Sequence, residues 1–326
     1  MTSLATRAGP YALGTFRAGR QEFAGVVVGN RVRPVVSAAG LDRPSTRELI
    51  EHWGAAQRDI SAIAAEPDGD GFDLVALDVL PPVEPRQIFQ TGLNYRSRQI
   101  ELAAAARSPD DPRSPDRRPA DGRREIEERP GAEPPHVFAG VLSAMCGAFD
   151  DVILPAGSSD NDVQIELAAV IGRPARRIPP EQALAHVVGY TIVNDLTTRG
   201  WLRSVALPRR TPDWLRAKNS PTFLPTGPFL VPAEFVGDPM AQRMTLRLNG
   251  QVVQDESTRD MLVDIAGIFS FCSEVTALLP GDLVLTGSPG GGAVRTGRFL
   301  RPGDVIEAEI TGLGGQRNGC VAEDAR

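Results

Sequence analysis

Hydrophobic and polar positions alternate along this chain with changing period, and the changes predict its elements. Residues 167–171 are apolar at every position, the pattern of a strand buried on both faces. A second apolar strand runs over 189–194 and ends at Asp195. Alternate residues of a strand share a face, so Gln164 and Glu166 point the same way at the mouth of the first strand. Polar groups leading into buried strands need partners, because burying them unpaired is costly, and a hard cation is one such partner.

Shorter patterns flank this centre. Residues 11–16, 23–28 and 31–35 read as short strands, with Gly29-Asn30 a hairpin turn between the last two. Residues 46–63 carry helical spacing through Leu49, Ile50, Trp53, Ile60 and Ile63, capped by Ser45 or Thr46. Strands follow at 87–95 and 152–155. A hairpin spans 245–254 around Asn249-Gly250, a pair that tolerates the positive φ angles of a type I′ turn. Ser257-x-x-Asp260 has the form of a capping box opening a helix, with Leu262, Ile265, Ile268, Phe269, Cys272 and Val275 on its apolar face. Pro280-Gly281-Asp282 ends that helix before a strand at 283–287. Glu307 and Glu309 sit in clean alternation and read as a solvated strand face. Prolines at 81, 82 and 85 divide a small β-rich N-terminal domain, residues 1–80, from a large domain, residues 84–326. Within the latter, 108–135 is rich in Pro, Arg, Asp and Glu and buries too little apolar area to offset its ordering entropy. It reads as a disordered insertion or as a lid.

Composition narrows the function. A net charge of -6 argues against a general nucleic-acid binder. No run approaches the ~20 apolar residues of a membrane span, and the first seven residues hold no apolar stretch of a signal peptide. Three cysteines without motif spacing suit a reducing compartment and core positions, so a cytoplasmic protein is expected. No Cys/His cluster suggests zinc, which leaves an oxygen-seeking ion, Mg²⁺, Mn²⁺ or Ca²⁺, for Glu166 and Asp195.

Several motifs in order resemble the fumarylacetoacetate hydrolase family over about residues 85–321. Asp162-Val163-Gln164-Ile165-Glu166-Leu167 through Gly172 is similar to its metal motif, and Gly189-Tyr190-Thr191 through Asn194-Asp195-Leu196-Thr197-Thr198-Arg199 to the segment after it. Gly92-Leu93-Asn94-Tyr95, Lys218-Asn219-Ser220, Asn249-Gly250, Thr258-Arg259-Asp260-Met261 and Thr286-Gly287 follow the pattern as well. The resemblance implies an α+β, mainly β fold: a mixed β-roll with short flanking helices, preceded by the small β-rich domain. It also implies a homodimer, and metal-enolate chemistry on a 1,3-dicarbonyl or 2-oxo acid, by C–C cleavage, decarboxylation or isomerisation. Its partner is a small carboxylate or diketone substrate. The metal ligands by resemblance are Gln164, Glu166 and Asp195; the catalytic residues are Arg98, Glu101 and Lys218; the substrate contacts are Tyr95, Arg199, Gly287 and Ser288.

Departures from the pattern cluster at the site. Gln164 replaces the first metal-binding Glu, which removes one negative charge and lowers affinity for a divalent ion. Arg98 stands at the position of the water-activating His, Gly140 at that of a Lys, and Pro221 at that of an Asp. Arg98 takes no proton near neutrality; it forms either a surface pair with Glu101 or a clamp on a substrate carboxylate. Glu101 is then a candidate base if buried. Of His52, His136 and His186, only His136 lies near the expected base along the chain. The loop 287–292 is no P-loop but offers backbone N–H groups to a carboxylate. Two function classes stand: an enzyme of this family with altered chemistry, or a protein that binds a ligand without turnover.

Overall fold

The computed structural model describes residues 7–66, 70–105, 134–202 and 212–324. Of the segment 108–135, only Pro134 and Pro135 fall within the described residues. The strand Ile165–Ile171, buried at every position, is the axis of the molecule. It pairs antiparallel with Val187–Asn194 on one side and Leu283–Leu285 on the other. Outward from these run Leu224–Thr226 and Met145–Gly147 on one flank, and Ile88–Gly92 and His136–Gly140 on the other; Val231–Pro232 completes eight strands. The sheet is mixed, because Ile88–Gly92 runs parallel to Leu283–Leu285 and Met145–Gly147 parallel to Leu224–Thr226. A second sheet has the order Val152–Leu154, Gly314–Ala322, Val305–Ile310, Arg243–Leu248, Gln251–Ser257. A third comprises Phe72–Asp73, Arg31–Pro34, Gln21–Val28, Ala12–Ala18 and Asp78–Leu80. The longest described helix is Trp53–Ala65, so the architecture is α+β and mainly β, as the resemblance implies.

The central strand feeds two cores by parity. Ile165, Leu167, Ala169 and Ile171 join Met244, Leu246, Ile306 and Ile310 of the second sheet. Ala168 and Val170 join Leu13, Val26, Leu49 and Ile50 from the N-terminal sheet and its helix. A strand with no polar face is stable only when both faces are covered, and the two smaller sheets supply the covers. Backbone hydrogen bonds carry the N-terminal cover onto the main sheet: Leu13 and Leu230 exchange N–H···O bonds of 2.9 and 2.8 Å.

Two helix expectations are corrected. Residues 46–63 form not one helix but two, Thr46–Glu51 and Trp53–Ala65, separated at His52. Ser45 caps the first, and Glu48 closes the capping box. The helix expected to open at Ser257 opens instead at Ile265, where Asp264 accepts the Gly267 N–H at 2.7 Å. Asn94 delays it. Its backbone carbonyl accepts Leu262 N–H and its side-chain oxygen accepts Val263 N–H, at 2.8 and 2.9 Å, so those residues are tied to a neighbouring segment. Thr258–Asp260 makes only a 3₁₀ turn. The Asn249-Gly250 turn forms as expected, with φ of 50° and 78°.

Gly189 marks the tightest point of the main sheet. A Cβ there would lie 2.4 Å from the Val231 carbonyl oxygen. Gly189→Ala should therefore lower stability by about 2–3 kcal/mol, since the backbone has to part. Gly54→Ala, in a helix with no neighbour within 4 Å, should raise it by about 0.5–1 kcal/mol. Thermal midpoints of the two variants, moving in opposite directions, check the pair.

Candidate active site

Strand register assembles the candidate site. Ile165 lies opposite Asn194 and Glu166 opposite Val193, and Asp195 N–H donates to the Gln164 carbonyl at 2.8 Å. Gln164, Glu166 and Asp195 therefore share one face at the end of the central strand pair. Lys218, on the last turn of the short helix Trp214–Lys218, reaches into the same place. Its ammonium is ion-paired with Asp195 Oδ2 and donates to Gln164 Oε1 at 2.9 Å. Thr197 Oγ1 also donates to Gln164 Oε1, at 2.7 Å; two donors on one atom fix the amide with its oxygen toward the cluster. Glu166 Oε2 accepts the Gly287 N–H at 2.8 Å.

Water is excluded from these charges. Glu166 and Asp195 are each 1% exposed and Lys218 is 4% exposed. Burial, and then the charge on Asp195, pushes the Glu166 carboxyl well above the usual range, against the pull of Lys218 and the Gly287 amide. Burial raises Asp195 too, with Lys218 opposing. Lys218 is lowered by burial against the attraction of both carboxylates. Two carboxylates face one ammonium, so the ionised cluster keeps an uncompensated negative charge.

That charge and the oxygen-only donor set fit a hard divalent cation. Among the described residues no group of three or more His, Cys, Asp or Glu is placed to hold a metal; beside Glu166 and Asp195, a third oxygen would have to come from the Gln164 amide. Lys218 contacts two of the three donors, so a cation here would share them with an ammonium.

Arg98 is not on the surface. It lies in the helix Arg96–Ala105 and is 3% exposed. Its Nη1 donates to Glu101 Oε2 at 2.8 Å and to the Gly291 carbonyl at 3.3 Å, while Nη2 is buried without a partner among the described residues. Burial, and then nearby Arg199, lower its pKa from the ordinary arginine value. Glu101 also accepts the Gly291 N–H, at 3.0 Å, so its carboxylate is committed to Arg98 and the glycine loop. Arg199 donates to Asp162 Oδ2 through Nε and Nη2, at 2.9 and 2.7 Å.

The other expected substrate contacts are placed differently. Tyr95 belongs to the core, fully buried, and its hydroxyl donates to Met244 Sδ at 3.7 Å. The Gly287 N–H serves Glu166 rather than an open face. The Ser288 hydroxyl accepts from Gln254 Nε2 at 3.0 Å. His136 is exposed, with its ring 5.9 Å from Phe138, whose centroid lies 6.0 Å from Lys218 Nζ. His52 caps a helix and His186 packs near Phe269. All three cysteines are buried and unpaired.

Three participants escape a sequence reading. Gln90 donates to Asp195 Oδ1 at 2.8 Å. Thr197 orients Gln164. Asp162, 1% exposed, holds Arg199 and accepts the Ala293 N–H at 2.6 Å, anchoring the far end of the glycine loop.

Known proteins share this arrangement of sheets. A model of the fumarylacetoacetate (FAA) hydrolase C-terminal family matches residues 87–321. The human mitochondrial oxaloacetate tautomerase FAHD2B is 36% identical over 187 residues, 57% of this chain and 58% of that protein, so the match spans little more than half of that relative's length. A putative HpcE protein from Mycobacterium smegmatis superposes with a TM-score of 0.75 at 28% identity, over 96% of this chain and 99% of that one. Maleylpyruvate hydrolase from Sphingobium sp. SYK-6, solved with manganese(II) and pyruvate, gives a TM-score of 0.73 at 26% identity, over 96% and 100% of the two chains. No described helix is long and apolar enough to cross a membrane. On this family match and these likenesses, the chain belongs to the fumarylacetoacetate hydrolase family.

Proposed function

We propose that this protein is an enzyme acting on a 2-oxo or 1,3-dicarbonyl acid through an enolate, by tautomerisation or decarboxylation in preference to hydrolysis. The observation that carries the reading is Arg98. A hydrolase needs a group that takes a proton from water, and a histidine titrating near neutrality suits that task. Arg98 stays charged and only donates, and its ion pair with Glu101 occupies the carboxylate that would otherwise serve. Its unpartnered Nη2 is a buried donor suited to a substrate carboxylate. Decarboxylation breaks the C–C bond with CO₂ as leaving group, and the enolate then takes a proton from solvent; tautomerisation passes a proton between carbon and oxygen by way of solvent water; neither requires a water activated as nucleophile.

A divalent cation held by Gln164, Glu166 and Asp195, Mg²⁺ or Mn²⁺ before Ca²⁺, would supply charge stabilisation to the enolate oxygen. Lys218 adds its own positive charge beside that oxygen. The manganese and pyruvate of the Sphingobium maleylpyruvate hydrolase, and the tautomerase activity named for the human relative, support both the ion class and the substrate class. A second reading, ligand binding without turnover, is favoured by one observation: Lys218 already offers a cation to Asp195 and Gln164.

Two experiments decide between these. In calorimetric titration with Mn²⁺, Glu166→Ala should abolish binding and Gln164→Glu should tighten it roughly tenfold or more, because ligand charge sets affinity at oxygen sites. Absence of binding to both the native protein and Gln164→Glu would leave the non-catalytic reading.

Acylpyruvate cleavage should be slow in the native protein, with oxaloacetate enol–keto exchange or decarboxylation faster. Arg98→His should raise the cleavage rate by about 10²-fold, the lower end of what a positioned base contributes. Fast native cleavage that Arg98→His does not improve would refute the assignment of Arg98 as the residue that turns the site away from hydrolysis.

A further inference from the structure

Gln90 sits in the middle of the strand Ile88–Gly92 and is 1% exposed. Its Nε2 donates to Asp195 Oδ1 at 2.8 Å, while its Oε1 is buried without a hydrogen-bond partner among the described residues. The adjacent antiparallel strand His136–Gly140 brings Gly140 opposite Ile88 and Phe138 opposite Gln90. A Cβ at Gly140 would lie 3.1 Å from Gln90 Cδ, 3.1 Å from Gln90 Oε1 and 3.1 Å from Ile88 Cγ2. Gly140 is not among the residues with positive φ, so the backbone does not demand glycine there. The neighbouring side chains leave a Cβ little room, and Gln90 or Ile88 would have to give by a few tenths of an ångström.

We propose that Gln90 is a positioning residue for the Asp195 carboxylate, and that Gly140 provides the space that admits it. The consequence drawn for the metal rests on the cation reading above; the geometry does not. A carboxylate with no partner on one oxygen turns easily about its last torsion, which is broad and two-fold. Gln90 on Oδ1 and Lys218 on Oδ2 together fix the plane of Asp195, and the remaining lone pairs are then presented in one orientation. A Cβ at 140 would press on the Gln90 carboxamide and on Ile88 Cγ2, and a shift of that carboxamide by a few tenths of an ångström would disturb its bond to Asp195.

The test uses the full chain: native, Gln90→Met, Gly140→Ala and their double variant for metal affinity, with Gln90→Ala alone and combined with Gly140→Ala added for the thermal arm. Mn²⁺ affinity by calorimetry should fall about 10–100-fold in Gln90→Met, the usual effect of losing a hydrogen bond that orients a ligand. It should fall also in Gly140→Ala, which removes no polar group at all. The double variant should be no weaker than Gln90→Met, because both changes break the same bond. A metal-independent arm measures thermal unfolding in chelator. Gly140→Ala should lower the midpoint by about 2–4 °C in the native background, and by clearly less when Gln90→Ala has removed the obstructing carboxamide. Unchanged Mn²⁺ affinity in Gln90→Met, or an equal fall in midpoint in both backgrounds, overturns the proposal. If neither the native chain nor Gln164→Glu binds Mn²⁺, the cation reading fails, and the thermal arm by itself decides the pairing of Gln90 with Gly140.

Discussion

Two carboxylates and an ammonium held out of water at the end of one strand pair are the constraint on which this structure depends. Charges in a protein interior are costly unless paired and hydrogen-bonded, and the surroundings of Glu166, Asp195 and Lys218 are arranged to meet that cost. Gln90, Gln164, Thr197 and the Gly287 amide all direct polar atoms at the cluster or at each other. These groups come from four separate stretches of chain, so the charge cluster ties the main sheet, the helix Trp214–Lys218 and the glycine loop to one point. Removing one member would strand the others, which explains why the burial is so uniform.

The glycine loop after Thr286 is the second organiser. Its amides are spent in order: Gly287 on Glu166, Gly290 on Ser97, Gly291 on Glu101, and Ala293 on Asp162. The acceptors lie in two stretches, the helix Arg96–Ala105 and residues 162–166, and two of them, Glu101 and Asp162, are simultaneously paired with Arg98 and Arg199. The loop is thus a strap that fixes two arginine–carboxylate pairs beside the buried cluster. This placement converts Arg98 from a surface residue, as i, i+3 spacing alone allows, into a buried cation with one donor to spare.

Membership of the fumarylacetoacetate hydrolase family sets the frame, and the substitutions within it set the question of chemistry. The resemblance reads Arg98 for a base, Gln164 for a carboxylate and Gly140 for a lysine, and these three residues lie in a helix, at the entry to the central strand and at a strand end. The fold tolerates them because each lies at a strand end, on a helix face or beside a compensating neighbour.

The sequence by itself determined what depends on local pattern. The uninterrupted apolar run at 167–171 required a strand covered on both faces, Asn249-Gly250 required its turn, and strand parity put Gln164 and Glu166 on one side. Motif order carried the family and the mainly β architecture. Tertiary structure decided whatever depends on contacts between distant segments. The start of the helix at Ile265 was set by Asn94, some 170 residues away along the chain, and the fate of Tyr95 by the core that closes over it. Gln90 could be recognised only once a neighbouring strand showed that Gly140 leaves it room and Asp195 gives it a partner. Periodicity reports which face a residue takes, because that is a property of its own strand or helix. It is silent on what stands opposite, because that is fixed by packing.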